Sequence, residues 1–222
     1  MGPLQFAFSE HSAMSLFHDA AVRSQLKALS RALLLLLALG AGVVLLYLVF
    51  LWEVQLRPPF RESGPLELTQ SAMLGTSTAL FFLEAKRRPE LRHAMVLVAG
   101  FLGCMLIREQ DYFLDFIRHG FWLWPALTLA LSCLAYACTD LRRTLAGLEH
   151  FVRWKYFPFL LIGLVIVLAY SRLFGSRLVW EGLLGPKFSY SMKTGVEESC
   201  ELLGYMFILA SAVLANADKR LQ

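Results

Sequence analysis

Residues 32–52 read ALLLLLALGAGVVLLYLVFLW. No charged side chain interrupts them. At 1.5 Å per residue such a run, wound as a helix, is long enough to cross about 30 Å of hydrocarbon. Inside a bilayer the backbone has no water to bond, so a run of this kind is stable as a helix with its hydrogen bonds closed internally. Five further apolar segments follow at residues 66–85, 91–107, 120–139, 156–175 and 196–217. No ten-residue alternation of apolar and polar side chains supports a barrel. The expected fold is therefore all-α: a polytopic membrane protein with six transmembrane helices.

Composition agrees. The chain has 222 residues, 57% of them hydrophobic, and only 17% are charged, against about 25% in ordinary soluble domains. Its mean hydropathy is +0.56. A soluble protein of this size has too little interior to hide so much apolar surface. The net charge of +4 does not indicate nucleic acid. The basic residues stand in short clusters between apolar runs, which is how membrane topology is written. The four cysteines lie inside apolar runs, form no C-x-x-C, and read as small buried apolar side chains.

Working outward from the first run, Arg23, Lys27 and Arg31 precede it. Its length exceeds a signal-peptide core, and Val54-Gln55-Leu56 is no small-residue cleavage site, so it reads as an uncleaved anchor. Upstream, residues 12–30 place Met14, Phe17, Ala21 and Leu29 near one helical face, as an interfacial amphipathic helix would. The expected organisation is an N-terminal cytoplasmic or interfacial segment over 1–31, a six-helix domain over 32–217, and a short cytoplasmic tail over 218–222. Alternate loops hold thirteen and eight of the Lys and Arg residues. The positive-inside bias puts both termini in the cytoplasm, in a bacterial inner membrane. Trp122, Trp124, Trp154, Tyr156 and Trp180 fall near the expected interfaces.

Ten of the seventeen acidic residues fall on the outer side. Segment three shows why this matters. Its uninterrupted apolar core, residues 94–107, covers about 21 Å. Completing a span draws in Arg108, Glu109, Gln110 and Asp111. Segment six draws in Glu201, Glu198 and Glu197, which share one broad helical face, with Tyr205 one turn deeper. Segment two carries Glu67, Gln70 and Ser71 at its outer end. Glu84, at the inner end, reads as a solvated interface residue. Residues 108–119 place Asp111, Asp115, Arg118 and His119 at ion-pair spacings, on a segment expected to lie half-buried along the interface.

Glu67, Glu109, Asp111, Asp115, Glu197, Glu198 and Glu201 are thus expected at one level, with Arg108, Arg118 and Arg172 as counter-charges. Several like charges in low dielectric require pairing, protonation or a ligand. A hard cation (Ca²⁺, Mg²⁺ or Mn²⁺) held by Glu109, Asp111, Glu198 and Glu201 is one solution. Zinc fits less well, because Asp115-x-x-x-His119 offers a single ligand pair. Gln70, Arg108, Asp115, Arg118, His119, Glu197, Glu67 and Tyr205 would line the pocket. The long outer loop 172–195 would cover it or rest on headgroups, with Arg177, Lys187 or Lys193 adding positive charge.

The functional expectation is an inner-membrane protein whose acidic, outward-facing pocket binds a cation or polar ligand. It would act as a small transporter-like protein or as an accessory subunit of an envelope complex. Two other classes stand beside it. One is a metal-dependent hydrolase or transferase acting on a lipid headgroup. The other is a structural subunit paired with a membrane protein or with a second copy of itself. Glu197-Glu198 does not continue into the E-E-x-x-x-R motif of the glutamic intramembrane proteases, since Leu202 holds the sixth position. No nucleophile lies beside a base, and there is no phosphate-binding loop or dinucleotide fingerprint.

Overall fold

The computed structural model describes residues 20–56, 60 and 64–218. Among them every regular element is helical. The long helices are α1 (Ala20–Gln55), α2 (Pro65–Arg87) and α3 (Arg92–Glu109). A short α4 (Asp111–Asp115) leads to α5 (Leu123–Cys138) and α6 (Leu141–Val152). Then come α7 (Phe157–Phe174), α8 (Arg177–Leu184) and α9 (Tyr190–Ala217). Each of the six apolar segments has its helix. Three helices are long and apolar enough to cross a membrane alone: α1 over Val22–Gln55, α7 and α9. A fourth is added if α5 and α6 are two halves of one bent span.

Proline placement explains several of the boundaries. Proline lacks an N–H and clashes with the preceding turn, so it is tolerated only near a helix start. Pro65, Pro125 and Pro158 lie in the first three residues of α2, α5 and α7. Pro89 sits in the tight connection between α2 and α3, and Pro186 in a 3₁₀ turn before α9.

The chain falls into two compact units, Met1–Leu45 and Leu46–Gln222. In the first, the described residues belong to α1, and its leucines are exposed: Leu33, Leu34, Leu36 and Leu37 among them. The expected break near Arg31 is absent. Ala20–Ser30 run straight into the apolar stretch as one helix, because nothing there supplies a cap or a breaker. The part of the expected interfacial helix before Ala20 lies outside the described residues, as does the tail from 219.

In the second unit the helices pack in the order α7, α9, α2, α3, α5, with α6 also against α3. Two faces come together where side chains are small. Gly163 of α7 meets Gly204 of α9 so closely that a Cβ on Gly204 would lie 2.5 Å from Val167 Cγ2 and 2.9 Å from the Gly163 carbonyl oxygen. A Cβ on Gly100 of α3 would lie 2.5 Å from Cys133 Sγ of α5. Small residues at such contacts let backbones approach closely, a packing that suits helices in lipid, where no hydrophobic force acts between them. The core between them holds Leu74, Phe81, Met95, Leu102, Tyr205 and Ile208, all essentially inaccessible.

Polar side chains collect at the two ends of this unit. One end joins the start of α2, the end of α3, the end of α7 and the first half of α9. The other joins the end of α2, the start of α3, α6, the start of α7 and the end of α9. There, Asn216 Nδ2 donates to the Leu80 carbonyl at 3.2 Å, and Tyr156 Oη donates to Asp218 at 2.9 Å. Lys155 also pairs with Asp218, and that hydrogen bond holds its ammonium above the usual lysine range.

Several expectations are corrected. Glu84 is not solvated: it is buried and bonded to the equally buried Arg88 at 2.8 Å, whose guanidinium lies over Trp154. Helix-end acids are buried when a cation is packed beside them. Segment six continues through its acids, as expected, and then further. Its helix begins at Tyr190 and covers about 42 Å, so Glu197 and Glu198 lie in its third turn and Glu201 in its fourth rather than at its end. The outer loop 172–195 is mostly helical, in α8, a 3₁₀ turn and the start of α9. Phe116 and Ile117 are exposed, 74% and 66%, rather than half-buried. None of the four free cysteines is fully buried: Cys104, Cys133 and Cys200 are half-buried and Cys138 is exposed.

Candidate functional site

Glu53 sets the rim. It ends the apolar part of α1, is fully buried, and its carboxylate accepts the Phe60 amide at 2.9 Å and the Leu66 amide at 3.1 Å. Leu66 follows Pro65 at the start of α2, where backbone donors have no partner of their own. Gly64, the residue preceding the helix, contributes no side-chain cap. The carboxylate fills that role from a distance, and a negative charge there suits the helix dipole. A Cβ on Gly64 would collide with it. The same bond holds Phe60 at φ 57°, a left-handed conformation that costs a bulky residue free energy. Its ring rests on Gly195 of α9, where a Cβ would lie 2.7 Å from Cζ.

Behind this rim lies a cavity of about 260 Å³. Six carboxylates line it: Glu67 from α2, Glu109 from α3, Asp111 from α4, and Glu197, Glu198 and Glu201 from α9. Three cations face them: Arg108, Arg172 and Lys193. Phe60, Tyr190 and Thr194 complete the wall.

The carboxylates are held individually. Arg172 bridges Glu197 at 3.0 Å and Glu201 at closer range. Lys193 reaches Glu197 at 2.6 Å. Ser171 Oγ donates to Glu201 at 3.3 Å. Glu109 accepts from Arg108 at 3.2 Å and from Tyr205 Oη at 2.8 Å. Gln70 Nε2 donates to the Glu198 carboxylate at 2.9 Å. Asp111 accepts the amide of its neighbour Tyr112 at 2.7 Å. Gln110 Nε2 reaches Ser71 at 2.6 Å and ties the end of α3 to α2. A π-helical turn, Ile166–Tyr170, precedes Ser171 and Arg172 in α7. Its extra residue shifts the phase of the helix just before these two side chains.

A second cavity, of about 400 Å³, adjoins the first. It shares Arg108, Glu109 and Arg172 and is otherwise lined by Met105, Val167 and Leu168.

Of the residues expected from the sequence, Glu67, Arg108, Glu109, Asp111, Glu197, Glu198 and Glu201 share one cavity wall. Gln70 and Tyr205 stand behind it as hydrogen-bond donors to Glu198 and Glu109. Asp115 and His119 are not part of it. They bond each other at 2.8 Å where α4 ends and the exposed segment begins, and Asp115 also caps the Gly120 amide. Arg118 is exposed and outside the cavity. Arg177 pairs with Glu181 within α8 rather than with the cluster. A single-ion centre on Glu109, Asp111, Glu198 and Glu201 is not formed. Among the described residues no three His, Cys, Asp or Glu side chains come together as a metal would require. Their oxygens are instead spent on Tyr205, the Tyr112 amide, Gln70 and Arg172.

Sequence reasoning missed Glu53, Phe60, Tyr190, Ser171 and Thr194. Glu53 had a signal, since it is a lone acid at the end of a long apolar run. Of the three loop cations expected to add positive charge, Lys193 lines the cavity, four residues before Glu197 on the same helix. Comparison with protein-family models, with curated proteins and with solved structures gave no match.

Proposed function

We propose that this chain is an integral protein of a bacterial inner membrane, with six spans and both termini in the cytoplasm, and that it binds a positively charged polar ligand at its outer end. Two features support six spans. The polar residues of α2, Gln70 and Ser77, are fully buried against protein, so α2 tolerates them at membrane depth. The end bearing the α2–α3 turn, α6 and the end of α9 is also the end rich in Lys and Arg.

One observation carries the binding role: six carboxylates and three cations surround one cavity. With all of them ionised the wall holds a surplus of negative charge, which a cation or an ammonium-bearing molecule would neutralise. Such a site serves a small transporter or the accessory subunit of an envelope complex.

The test uses the full chain in lipid nanodiscs, with spermidine and tetramethylammonium as probes and sulfate as the control. Saturable stabilisation by an amine probe is expected, about 2.7 kcal/mol at a hundredfold excess over Kd. Glu198→Gln keeps an oxygen for Gln70 and removes the charge, so it should weaken that stabilisation. No response to either amine, or an equal response to sulfate, contradicts the proposal.

A further inference from the structure

The chain bends by 105° between α5 and α6, at a break of two residues. If α5 crosses the bilayer, α6 then runs close to the plane of its surface. The twelve residues of α6, LRRTLAGLEHFV, sort onto three faces. Thr144, Gly147 and Phe151 are buried, with Gly147 against Ala94 of α3. A second face, Leu141, Leu145, Leu148 and Val152, recurs at spacings of four, three and four, which is one stripe along a helix. Leu141, Leu145 and Val152 of that stripe are 60%, 64% and 53% exposed. The third face carries Arg142, Arg143, Glu149 and Arg153, all exposed.

An exposed leucine stripe costs free energy in water, and among the described residues nothing covers Leu141, Leu145 and Val152. The charged face beside it names the occupant. Arg143 and Arg153 form exposed pairs with Asp140 and Glu149. Such pairs are weak and exchange readily for other anions. A helix with an apolar stripe, a basic flank and little net hydrophobicity is suited to lie at the boundary between headgroups and acyl chains. In α5, the helix before it, Leu127, Leu131 and Leu134 are exposed as well.

We infer that α6 is an in-plane membrane helix rather than half of a broken span, and that it docks on anionic phospholipid. Leu141, Leu145, Leu148 and Val152 enter the acyl region, while Arg142, Arg143 and Arg153 meet lipid phosphates. The inference does not depend on the ligand cavity. Ala94, which α6 touches, is fifteen residues and about 22 Å along α3 from Glu109.

The experiment places nitroxide labels on Leu145→Cys and Glu149→Cys in full-length protein lacking its native cysteines. The bilayers are phosphatidylcholine with and without phosphatidylglycerol. The label at 145 should be reached by oxygen and shielded from a water-soluble nickel chelate, and the label at 149 should show the reverse. Leu141→Cys gives the same reading should the Leu145 variant not fold. In parallel, R142Q/R143Q/R153Q, three exposed changes, should lower the phosphatidylglycerol retained on purification several-fold. Chelate access at 145 equal to that at 149 places α6 in water and overturns the inference. Shielding of 145 from both probes shows that protein covers the stripe, which also overturns it. Unchanged lipid retention removes the anionic preference.

Discussion

Arg172→Ala should be among the most damaging single changes in the protein, lowering stability by about 3 kcal/mol. Arg172 is the cation that the buried Glu201 and the half-buried Glu197 share. Glu201 retains 5% of its side-chain surface and Glu197 retains 12%. Glu197 keeps Lys193 when the guanidinium is removed. Glu201 keeps only the Ser171 hydroxyl of the partners described above. Breaking a buried pair by deleting one member is costly because the surviving charge stays in low dielectric. Arg172 itself is 43% exposed, so water softens the loss and the lower end of the usual range applies. The signature is coupling. Glu201→Gln alone should cost less, and R172A/E201Q together should recover most of the lost stability, since no charge is then stranded. Thermal midpoints of the four proteins in one detergent check this. An R172A midpoint equal to the parent, or a double variant worse than the sum, would show that the bridge carries no such role.

Glu53→Ala should be comparably severe, and for a different reason. The carboxylate accepts two backbone amides, from Phe60 and Leu66. Hydrogen bonds to a charged group contribute about 1.5–3 kcal/mol each, and buried donors left unpaired are expensive. The loss is therefore about 3 kcal/mol or more. Glu53→Gln keeps a single acceptor and should cost roughly half of that. The change also releases Phe60 from its left-handed backbone and with it the ring packed on Gly195. Amide hydrogen exchange should report this locally, with protection falling around Leu66 while the middle of α3 stays protected. Uniform loss of protection across the chain, or none near Leu66, would go against this role for Glu53.

Much of this architecture was legible from the amino acids, and the parts that were not have identifiable causes. Apolar runs announced every long helix, because bilayer crossing leaves little choice of backbone. The ends were less legible. Helix α9 starts at Tyr190 because Ser189 and the preceding Gly-Pro-Lys turn end the irregular chain there, and hydropathy cannot see a helix begin in polar residues. The twenty residues that a crossing takes, counted back from Ala217, still include Glu198 and Glu201. The acids face one cavity, held by Arg172, Lys193 and Gln70. Helix rotation was the other hidden variable. Asp115 and His119 have the same spacing signals as Lys193 and Glu197, yet one pair lies on an exposed segment and the other lines the cavity. Spacing along one helix does not say which face meets a neighbour. Glu53 escaped notice because its partners are backbone amides across a turn, and backbone partners leave no mark in side-chain patterns.

We propose that acidic groups from α2, α3 and α9 share one water-reached recess on the extracytoplasmic side. A membrane-impermeant thiol reagent applied to intact cells tests it most directly, using a chain stripped of Cys104, Cys133, Cys138 and Cys200. Single cysteines replace Glu67 and Lys193 at the cavity, and Lys86 and Arg142 at the other end. Labelling at 67 and 193 with none at 86 and 142 until the cells are opened is the expected result. Labelling at 86 and 142 from outside, or protection of both cavity positions, would contradict it.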